Sequence, residues 1–240
     1  STLDRSSAAS DVYKRQVSES EICEDSLVLN KLNLDSSLFT KGYYIVQDEA
    51  SALVASSIDL PLDKKYKILD TCAAPGGKSL HIASKYFNSS LISCDKYIHK
   101  LKLIEDNKEK LGITNIEVKE QDATLNNTSF NNKFDIVICD VPCSGIGVIK
   151  NKPEIKYKIT NSYVEDIAKL QYDVLDNSKH YVKQEGILMY STCTIDKREN
   201  IKNIEKFLKE NKDFSLESIF YNNTEFLQRW NIVPSSYFFK

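Results

Sequence analysis

The chain has 240 residues and a net charge of −2, and its composition is 41% hydrophobic and 28% charged. These values are typical of a globular protein with one large domain, and they exclude nucleic-acid binding driven by a strongly basic overall charge. No apolar run approaches the ~20 residues of a membrane-spanning helix, and no signal-peptide core is present, so we expect no membrane partner. The six cysteines form no paired C-x-x-C pattern, which predicts free thiols, no metal site and a cytoplasmic location.

The N-terminal segments differ in character from the rest of the chain. Residues 1–16 resemble translated adapter read-through from shotgun assemblies, so we expect a non-native or disordered tail there. Residues 17–41 carry scattered apolar positions and are predicted to be the remnant of a preceding domain. The main domain is predicted to occupy residues 42–240.

Strand-like and helix-like patterns alternate through the main domain. Strands are predicted, in chain order, at Gly42–Val46, Tyr66–Leu69, Leu91–Cys94, Ile116–Val118, Phe134–Cys139, Ile187–Tyr190 and Phe214–Phe220. One helix is predicted to end near Tyr86, another is predicted to begin at Asp196, and a polar loop is predicted over 141–162. Inward-facing helix positions are predicted at Ala50, Leu53, Val54, Ile58, Leu101, Ile104, Leu111, Ile167, Leu170, Val174, Leu175, Ile201, Ile204, Phe207 and Leu208. This alternation predicts an α/β fold with a doubly wound, mostly parallel sheet and helices on both faces.

The predicted strand Tyr66–Leu69 leads into a loop of small residues. Asp70–Lys78 reads D-T-C-A-A-P-G-G-K, a tight turn between a strand and a helix, where open α/β sheets hold a cofactor. The loop lacks the G-x-G-x-x-G spacing of a nicotinamide site, and Cys72 stands where a phosphate-binding P-loop requires glycine. S-adenosylmethionine, which carries no phosphate, fits this loop better. An ordinary strand-to-helix turn is the alternative.

Acidic residues end or closely follow four of the predicted strands: Asp70, Asp95, Asp122 and Asp140. The carboxyl ends of parallel strands lie along one edge of a sheet, so the four carboxylates can line one cleft. Asp95 follows the predicted strand Leu91–Cys94, the next strand along the chain after the small-residue loop, where a carboxylate can accept from both hydroxyls of a ribose. Helix capping is the alternative for any one of them.

Two cysteines lie just past adjacent strand ends. Cys143 and Cys193 stand in polar surroundings, whereas Cys94 and Cys139 lie inside strands and are interpreted as small buried apolar residues. Methylation of carbon 5 of a cytosine needs such a thiol, because a thiolate adding to carbon 6 makes carbon 5 nucleophilic. A neighbouring carboxyl can hold the nitrogen edge of the ring, and a second thiol can assist release.

Four motifs together carry a family resemblance. D-T-C-A-A-P-G-G-K, D-V-P-C-S-G-I-G, K-P-E-I-K-Y and S-T-C-T-I-D-K-R-E-N resemble bacterial ribosomal RNA cytosine-5 methyltransferases of the RsmB/Sun (Fmu) type, in the NOL/NOP2/Sun family. The resemblance runs from about Gly42 to Leu208. It implies a Rossmann-like methyltransferase fold, S-adenosylmethionine as cofactor and a cytosine in small-subunit ribosomal RNA as substrate. By position, the implied cofactor contacts are Cys72, Ala73, Ala74, Pro75, Gly76, Gly77, Lys78, Asp95, Asp122 and Asp140.

The resemblance also implies roles for three side chains. Cys193 falls on the family's nucleophile, Cys143 on the cysteine that aids product release, and Asp140 is expected to contact the base. DNA cytosine-5 methyltransferases use the cysteine of a Pro-Cys pair instead, which here would be Cys143. The Thr-Cys segment around Cys193 is typical of the RNA enzymes and favours the first assignment.

RNA contact is predicted next to the catalytic loop. Lys150, Lys152, Lys156 and Lys158 can follow phosphates, and Tyr157 can stack on a base; a solvated loop is the alternative. In this family, residues 17–41 would be the remnant of an RNA-binding domain. We expect a monomer whose partner is RNA.

The C-terminus departs from the family pattern. The chain ends S-Y-F-F-K where a closing strand is expected, so the last strand is predicted to be diverged or truncated; a missing strand would expose a sheet edge. Two other functions remain open: a non-catalytic RNA-binding or ribosome assembly factor that keeps the fold, and a transfer RNA cytosine-5 methyltransferase. A nicotinamide-dependent oxidoreductase is disfavoured by the loop.

Overall fold

The computed structural model describes residues 17–20, 23, 26–29, 37–149, 153–157, 159–217, 220–221, 224–225 and 236–239. The predicted tail at 1–16 lies outside these residues, as do Lys150, Lys152 and Lys158.

The strands of the described residues build one large sheet and two small hairpins. They are β1 Val17–Glu19, β2 Leu27–Leu29, β3 Lys67–Asp70, β4 Ser90–Asp95, β5 Ile116–Glu120, β6 Phe134–Asp140, β7 Val182–Ser191, β8 Leu216–Glu217, β9 Phe220–Tyr221, β10 Thr224–Glu225 and β11 Ser236–Phe239. Among them, seven form one sheet in the order β5-β4-β3-β6-β7-β11-β8. Strands β3 to β7 run parallel, and β11 runs antiparallel to both of its neighbours. The mostly parallel, Rossmann-like sheet predicted from the sequence is confirmed.

Six helices lie within the described residues. They are α1 Ser37–Thr40, α2 Glu49–Ser56, α3 Gly77–Lys85, α4 Ile98–Leu111, α5 Asn161–Ser178 and α6 Ile201–Glu210. Of these, α3, α4 and α5 connect parallel strands. Short 3₁₀ turns occupy Thr128–Phe130, Ile146–Val148 and Pro153–Tyr157. Within the described ranges, every helix is too short or too polar to cross a bilayer.

Strand β6 shows why the sheet carries helices on both faces. Its run is apolar on both sides, as a parallel strand buried between two layers requires. Ile136 and Ile138 pack into the core layer that contains α2 and α3, and Val137 and Cys139 pack into the layer that contains α5 and α6. Each alternate side chain therefore enters a different core, and the doubly wound prediction is confirmed.

The predicted strand at Gly42–Val46 is wrong. The chain there runs without helix or strand until α2, which begins after Asp48; the Asp48 carboxylate accepts from the Ala50 N–H at 3.0 Å. Tyrosine, isoleucine and valine favour strands because they pack well on a pleated surface, and no described strand pairs with this segment. Without a neighbouring strand, the local preference has no effect.

The structure decides between the two alternatives predicted for the last strand. Strand β11 lies beside β7, with Tyr237 opposite Tyr190 and Phe238 opposite Met189, and β8 pairs on its other side. The β7 edge is therefore covered, which favours a diverged last strand over a truncated one. The single strand predicted over Phe214–Phe220 is divided between β8 in the main sheet and β9 in a separate hairpin.

The inward faces of the last two helices were predicted only in part. In α5, Val174 and Leu175 are buried as predicted, but Leu170 is exposed and Gln171 is fully buried in its place. Helix α6 begins at Ile201 rather than at Asp196, since residues 197–200 form turns. The buried polar side chain in α5 has a role at the site described next.

Candidate active site

The sheet order brings the ends of four parallel strands together. β4, β3, β6 and β7 are successive neighbours, and they end at Asp95, Asp70, Asp140 and Ser191. Asp122 follows β5 closely, at the same edge. The prediction that these acidic residues share the carboxyl edge of the sheet is confirmed.

The small-residue loop is tied down by its own backbone. The Ala73 N–H donates to the Cys94 carbonyl at 2.8 Å, and the Gly76 N–H donates to the Ala73 carbonyl at 2.7 Å. Gly76 has φ of +106° where it caps α3, a conformation that side chains rarely adopt. A Cβ there would also lie 3.3 Å from the Ile104 side chain. The loop therefore stays close to the sheet edge, with Cys72 and Lys78 at its two ends.

Asp70 does not line the cleft, which corrects the expectation that all four carboxylates would. It is fully buried, its Oδ2 accepts from the Ser79 hydroxyl at 2.6 Å, and its Oδ1 accepts from the Cys72 N–H at 3.3 Å. Burial raises the pKa of this carboxyl to about 7, against the opposing effect of the Ser79 hydrogen bond. Asp70 thus holds the loop to the start of α3 from below.

Asp95 and Asp122 are two further acidic residues at this edge, and each accepts hydrogen bonds from different partners. The Asp95 carboxylate accepts from the Tyr97 N–H at 3.1 Å. Asp122 accepts from Lys96 Nζ at 2.7 Å and from the Thr124 N–H at 3.0 Å. The Lys96 hydrogen bond lowers the pKa of Asp122 to about 2, so this group is a carboxylate at neutral pH.

Asp140 lies at the centre of a polar network that joins three elements. Its Oδ2 accepts from Lys78 Nζ and its Oδ1 from the Ser191 hydroxyl, each at 2.7 Å. Lys78 Nζ also donates to the Ser51 hydroxyl at 2.9 Å, which in turn accepts from Gln47 Nε2 at 3.0 Å. Lys78, predicted as a cofactor contact, therefore holds Asp140 in place, and Gln47, Ser51 and Ser191 were missed by the sequence analysis.

The two predicted catalytic cysteines meet beside Asp140. Cys143 is half-buried, Cys193 is exposed, and their Cα atoms are 6.3 Å apart. The Cys193 N–H donates to Cys143 Sγ at 3.2 Å, and the two sulfur atoms are joined as a disulfide. The expectation of free thiols is thus wrong for this pair, because adjacent strand ends bring the Cα atoms within the range that a disulfide spans. Cys23, Cys72, Cys94 and Cys139 are free.

The 3₁₀ turn after Cys143 packs directly on the Cys193 segment. The Gly147 N–H donates to the Cys193 carbonyl at 3.2 Å. A Cβ on Gly147 would lie 2.8 Å from that carbonyl oxygen, closer than real side chains approach. Glycine is therefore required for this close approach, and the contact fixes the height of Cys193 above the sheet edge.

Comparisons with known proteins identify the family of the chain. The profile of the family "16S rRNA methyltransferase RsmB/F" matches residues 57–233, most of the chain. The chain belongs to the RsmB/F family. It is 40% identical over 202 residues to the "Probable ribosomal RNA small subunit methyltransferase B" of Bacillus subtilis (strain 168), covering 83% of this chain and 45% of that protein. The chain thus spans less than half the length of this relative of the RsmB/F family.

Two solved structures resemble this RsmB/F-family chain. The crystal structure of PH0851 matches with a TM-score of 0.84 and 29% identity, covering 100% of this chain and 56% of that one. The crystal structure of NSun6 from Pyrococcus horikoshii with SFG matches with a TM-score of 0.68 and 26% identity, covering 89% of this chain and 56% of that one. The fold and the family expected from the four motifs are confirmed.

The predicted RNA contacts are described only in part. Lys156 is exposed, and its Nζ lies 4.9 Å from the centre of the Tyr157 ring, which is 80% exposed. The other three predicted lysines lie outside the described residues. In the part of the chain that the structure describes, histidine, cysteine and acidic side chains form no group of three that could hold a metal ion.

Two buried polar side chains that the sequence analysis missed lie between the cysteine segments. Glu199 and Gln171 are both fully buried, and they hydrogen-bond to each other at 2.8 Å. Glu199 lies six residues after Cys193, within the S-T-C-T-I-D-K-R-E-N motif, which is the one signal that could have pointed to it. Gln171 occupies an inward position of α5 that helical spacing alone would assign to an apolar residue.

Proposed function

We propose that this chain transfers a methyl group from S-adenosylmethionine to carbon 5 of a cytosine in small-subunit ribosomal RNA. The observation that carries the proposal is the pair of cysteines, with Cα atoms 6.3 Å apart beside Asp140, in a member of the RsmB/F family. Because the chain covers 45% of its Bacillus subtilis relative, the activity of the longer protein is part of the proposal.

The chemistry assigns one role to each thiol. The Cys193 thiolate adds to carbon 6 of the cytosine, forming a carbon–sulfur bond and making carbon 5 electron-rich. After carbon 5 is methylated, its proton leaves and the carbon–sulfur bond breaks, which returns the thiolate. Cys143, on the neighbouring strand end, assists that release. Both cysteines must be thiols for these steps, so the disulfide between them must first be reduced.

We assign the contact with the base to Asp140. Lys78 and Ser191 fix its carboxylate, each at 2.7 Å, and its side chain is 29% exposed. A carboxyl in that position can hydrogen-bond the nitrogen edge of a cytosine and stabilise the adduct. The proposed base contact therefore depends on Lys78 and Ser191 for its orientation.

The residues at the sheet edge fit S-adenosylmethionine. The loop from Cys72 to Lys78 offers no phosphate-binding pattern, and Gly76 lets it pass close to the Ile104 side chain at the sheet edge. Asp95 would accept from the ribose hydroxyls of the cofactor, and Asp122 would lie next to its adenine ring. When bound, the cofactor supplies an electrophilic methyl group on a sulfonium sulfur. The crystal structure of NSun6 from Pyrococcus horikoshii contains SFG, and this similar structure supports a cofactor of the S-adenosylmethionine type.

RNA would approach from the side of Cys193. The exposed ring of Tyr157 offers a stacking surface, and Lys156 next to it offers a positive charge for phosphate. We extend the same role to Lys150, Lys152 and Lys158. Because a cytosine inside a duplex cannot reach the cysteines, we expect the target base to be unstacked.

Labelled methyl transfer tests the proposal. The chain, kept in reductant, is incubated with tritiated S-adenosylmethionine and unmodified small-subunit ribosomal RNA, transfer RNA or DNA. We expect label in the ribosomal RNA, located at carbon 5 of a cytosine by digestion and mass spectrometry. Label in transfer RNA alone would favour that substrate. RNA binding without label on any substrate would favour a non-catalytic assembly factor.

Substitution of Gly147 by alanine should slow methyl transfer without weakening cofactor binding. The new Cβ would lie 2.8 Å from the Cys193 carbonyl oxygen and push the nucleophile from its position. A displacement near 1 Å can cost about 100-fold in rate, so we expect a loss of that order in kcat. Gly112→Asn is the control, since a Cβ there meets no atom within 4 Å and asparagine tolerates its φ of +65°. An unchanged kcat in Gly147→Ala would contradict the placement of Cys193.

A further inference from the structure

We infer that Glu199 is a positioning residue that sets the separation of Cys143 and Cys193, an inference that rests on the proposed function of the two cysteines. Glu199 is fully buried in the turn that joins β7 to α6. It touches neither the cleft surface nor the reacting atoms. Its two carboxylate oxygens instead divide between the two segments that carry the cysteines.

One carboxylate oxygen holds the Cys143 segment. Glu199 Oε2 accepts from the Ser144 N–H and from Gln171 Nε2, each at 2.8 Å. Gln171 Nε2 also donates to the Pro142 carbonyl at 2.9 Å. The residues on both sides of Cys143 are therefore tied to the same buried pair of side chains.

The other oxygen holds the Cys193 segment. Glu199 Oε1 accepts from the Thr194 hydroxyl at 3.2 Å, and that hydroxyl lies 3.0 Å from the Ser144 hydroxyl. The Tyr190 hydroxyl donates to the Glu199 carbonyl at 2.6 Å, which ties the turn to the end of β7. The Glu199 carboxylate thus links Thr194, the residue after Cys193, to Ser144, the residue after Cys143.

A carboxylate suits this place better than an amide. Glu199 Oε2 receives two N–H donors, and Oε1 receives the Thr194 hydroxyl. An amide would keep an oxygen for the two N–H donors and turn its NH₂ group toward the Thr194 hydroxyl, which would then accept instead of donate. Because that hydroxyl also accepts from the Asp196 N–H at 3.2 Å, the bond that joins the two cysteine segments would re-form with a changed geometry, and the spacing of the cysteines would change with it. Fixing reacting groups to within about 0.5 Å depends on buried supporting hydrogen bonds of this kind.

The separation of the two thiols can be measured without RNA or cofactor. Diamide, an azo oxidant, converts the reduced pair to a disulfide: the thiols lose two protons and two electrons, and the azo group gains them to become a hydrazine. The rate depends on how often the two sulfur atoms meet. Mass spectrometry of alkylated peptides gives the rate for Cys143 and Cys193 specifically.

Glu199→Gln is the first variant, and Asp135→Asn is its matched control. Like Glu199, Asp135 is an acidic residue that accepts from a backbone N–H, that of Lys67 at 2.7 Å. Asp135 lies near the start of β6, at the opposite end of that strand from Asp140 and the cysteines. We expect disulfide formation to slow by about 10-fold or more in Glu199→Gln and to stay within about 3-fold of wild type in Asp135→Asn. We also expect kcat for methyl transfer to fall by about 100-fold in Glu199→Gln while KM for S-adenosylmethionine changes by less than about 3-fold.

Thr194→Val keeps the inference testable if Glu199→Gln does not fold. Valine matches threonine in shape and removes the hydroxyl that contacts Glu199, Ser144 and the Asp196 N–H, so a loss in the same direction is expected. Disulfide formation at the wild-type rate in every folded variant would overturn the inference, as would a loss confined to KM. If wild-type chain transfers no methyl group to any RNA, the proposed function fails, and the disulfide rates still decide whether Glu199 sets the spacing.

Discussion

Replacing Cys193 with alanine should abolish methyl transfer, and replacing Cys143 with alanine should trap the protein on its RNA. Without Cys193 no thiolate can add to carbon 6, so we expect kcat to fall by about 10⁴-fold or more and no covalent adduct to form. Without Cys143 the adduct still forms but its release is slow. Denaturing gels of each variant with RNA and S-adenosylmethionine would show a shifted band for Cys143→Ala alone.

The opposite result would favour the DNA-type assignment. A shifted band with Cys193→Ala and none with Cys143→Ala would make Cys143 the nucleophile. Cys94→Ala is the matched control, because Cys94 is a buried thiol of β4 whose pKa burial raises to about 12, so it cannot act as a thiolate. We expect Cys94→Ala to resemble wild type in both assays.

The positions of the two thiols favour the first result. Cys193 is exposed and Cys143 is half-buried, and the Cys193 N–H donates to Cys143 Sγ at 3.2 Å. An incoming base meets the exposed thiol first. The recessed one lies where it can act on the adduct after it has formed.

Much of the site was predictable because it depends on topology. Parallel neighbouring strands must end at one edge, so the strand order alone brings Asp95, Asp140 and Cys193 together, whatever their side-chain contacts. The same reasoning placed Asp70 at that edge but could not show that its carboxylate turns inward to Ser79. An apolar run in the sequence predicts where a strand lies, but it does not predict which way the side chain at the end of that strand points.

Long-range contacts account for what was missed. Glu199 and Gln171 are 28 residues apart in sequence, and a buried carboxylate next to a buried amide follows no periodic pattern. The position of strand β11 between β7 and β8 was not predicted, for a related reason. Its pairing with β7 joins Phe238 to Met189 across a long stretch of chain, and four residues carry too short a pattern to announce a strand inserted between two others.

Buried Asp70 should make the stability of the fold depend on pH between about 4 and 7. Burial raises the pKa of its carboxyl from 3.8 to about 7, so the folded chain binds a proton that the unfolded chain has already lost in this range. The contribution of a group with a raised pKa is fully present below the unfolded pKa and is lost as pH rises through the folded value. Three pKa units correspond to about 4 kcal/mol in the free energy of unfolding.

Asp70→Asn removes this dependence and keeps the contacts. An asparagine can accept from the Cys72 N–H through its oxygen and donate to the Ser79 hydroxyl through its amide. We expect urea unfolding to show Asp70→Asn gaining up to about 4 kcal/mol relative to wild type as pH rises from 4 to 8. Asp140 raises and Lys78 lowers the pKa of this carboxyl, so both effects belong to the wild-type profile and vanish with the carboxyl in Asp70→Asn.

Ser79→Ala supplies the opposing test. The Ser79 hydroxyl lowers the pKa of Asp70 by donating to its ionised form, so its removal should raise that pKa further and shift the loss of stability to higher pH. Parallel pH profiles for wild type and Asp70→Asn would refute the raised pKa. In Ser79→Ala, the loss of stability should shift to higher pH. In the double variant Ser79→Ala/Asp70→Asn, the free energy of unfolding relative to Asp70→Asn alone should not change with pH. The two results together would assign the whole effect to the Asp70 carboxyl.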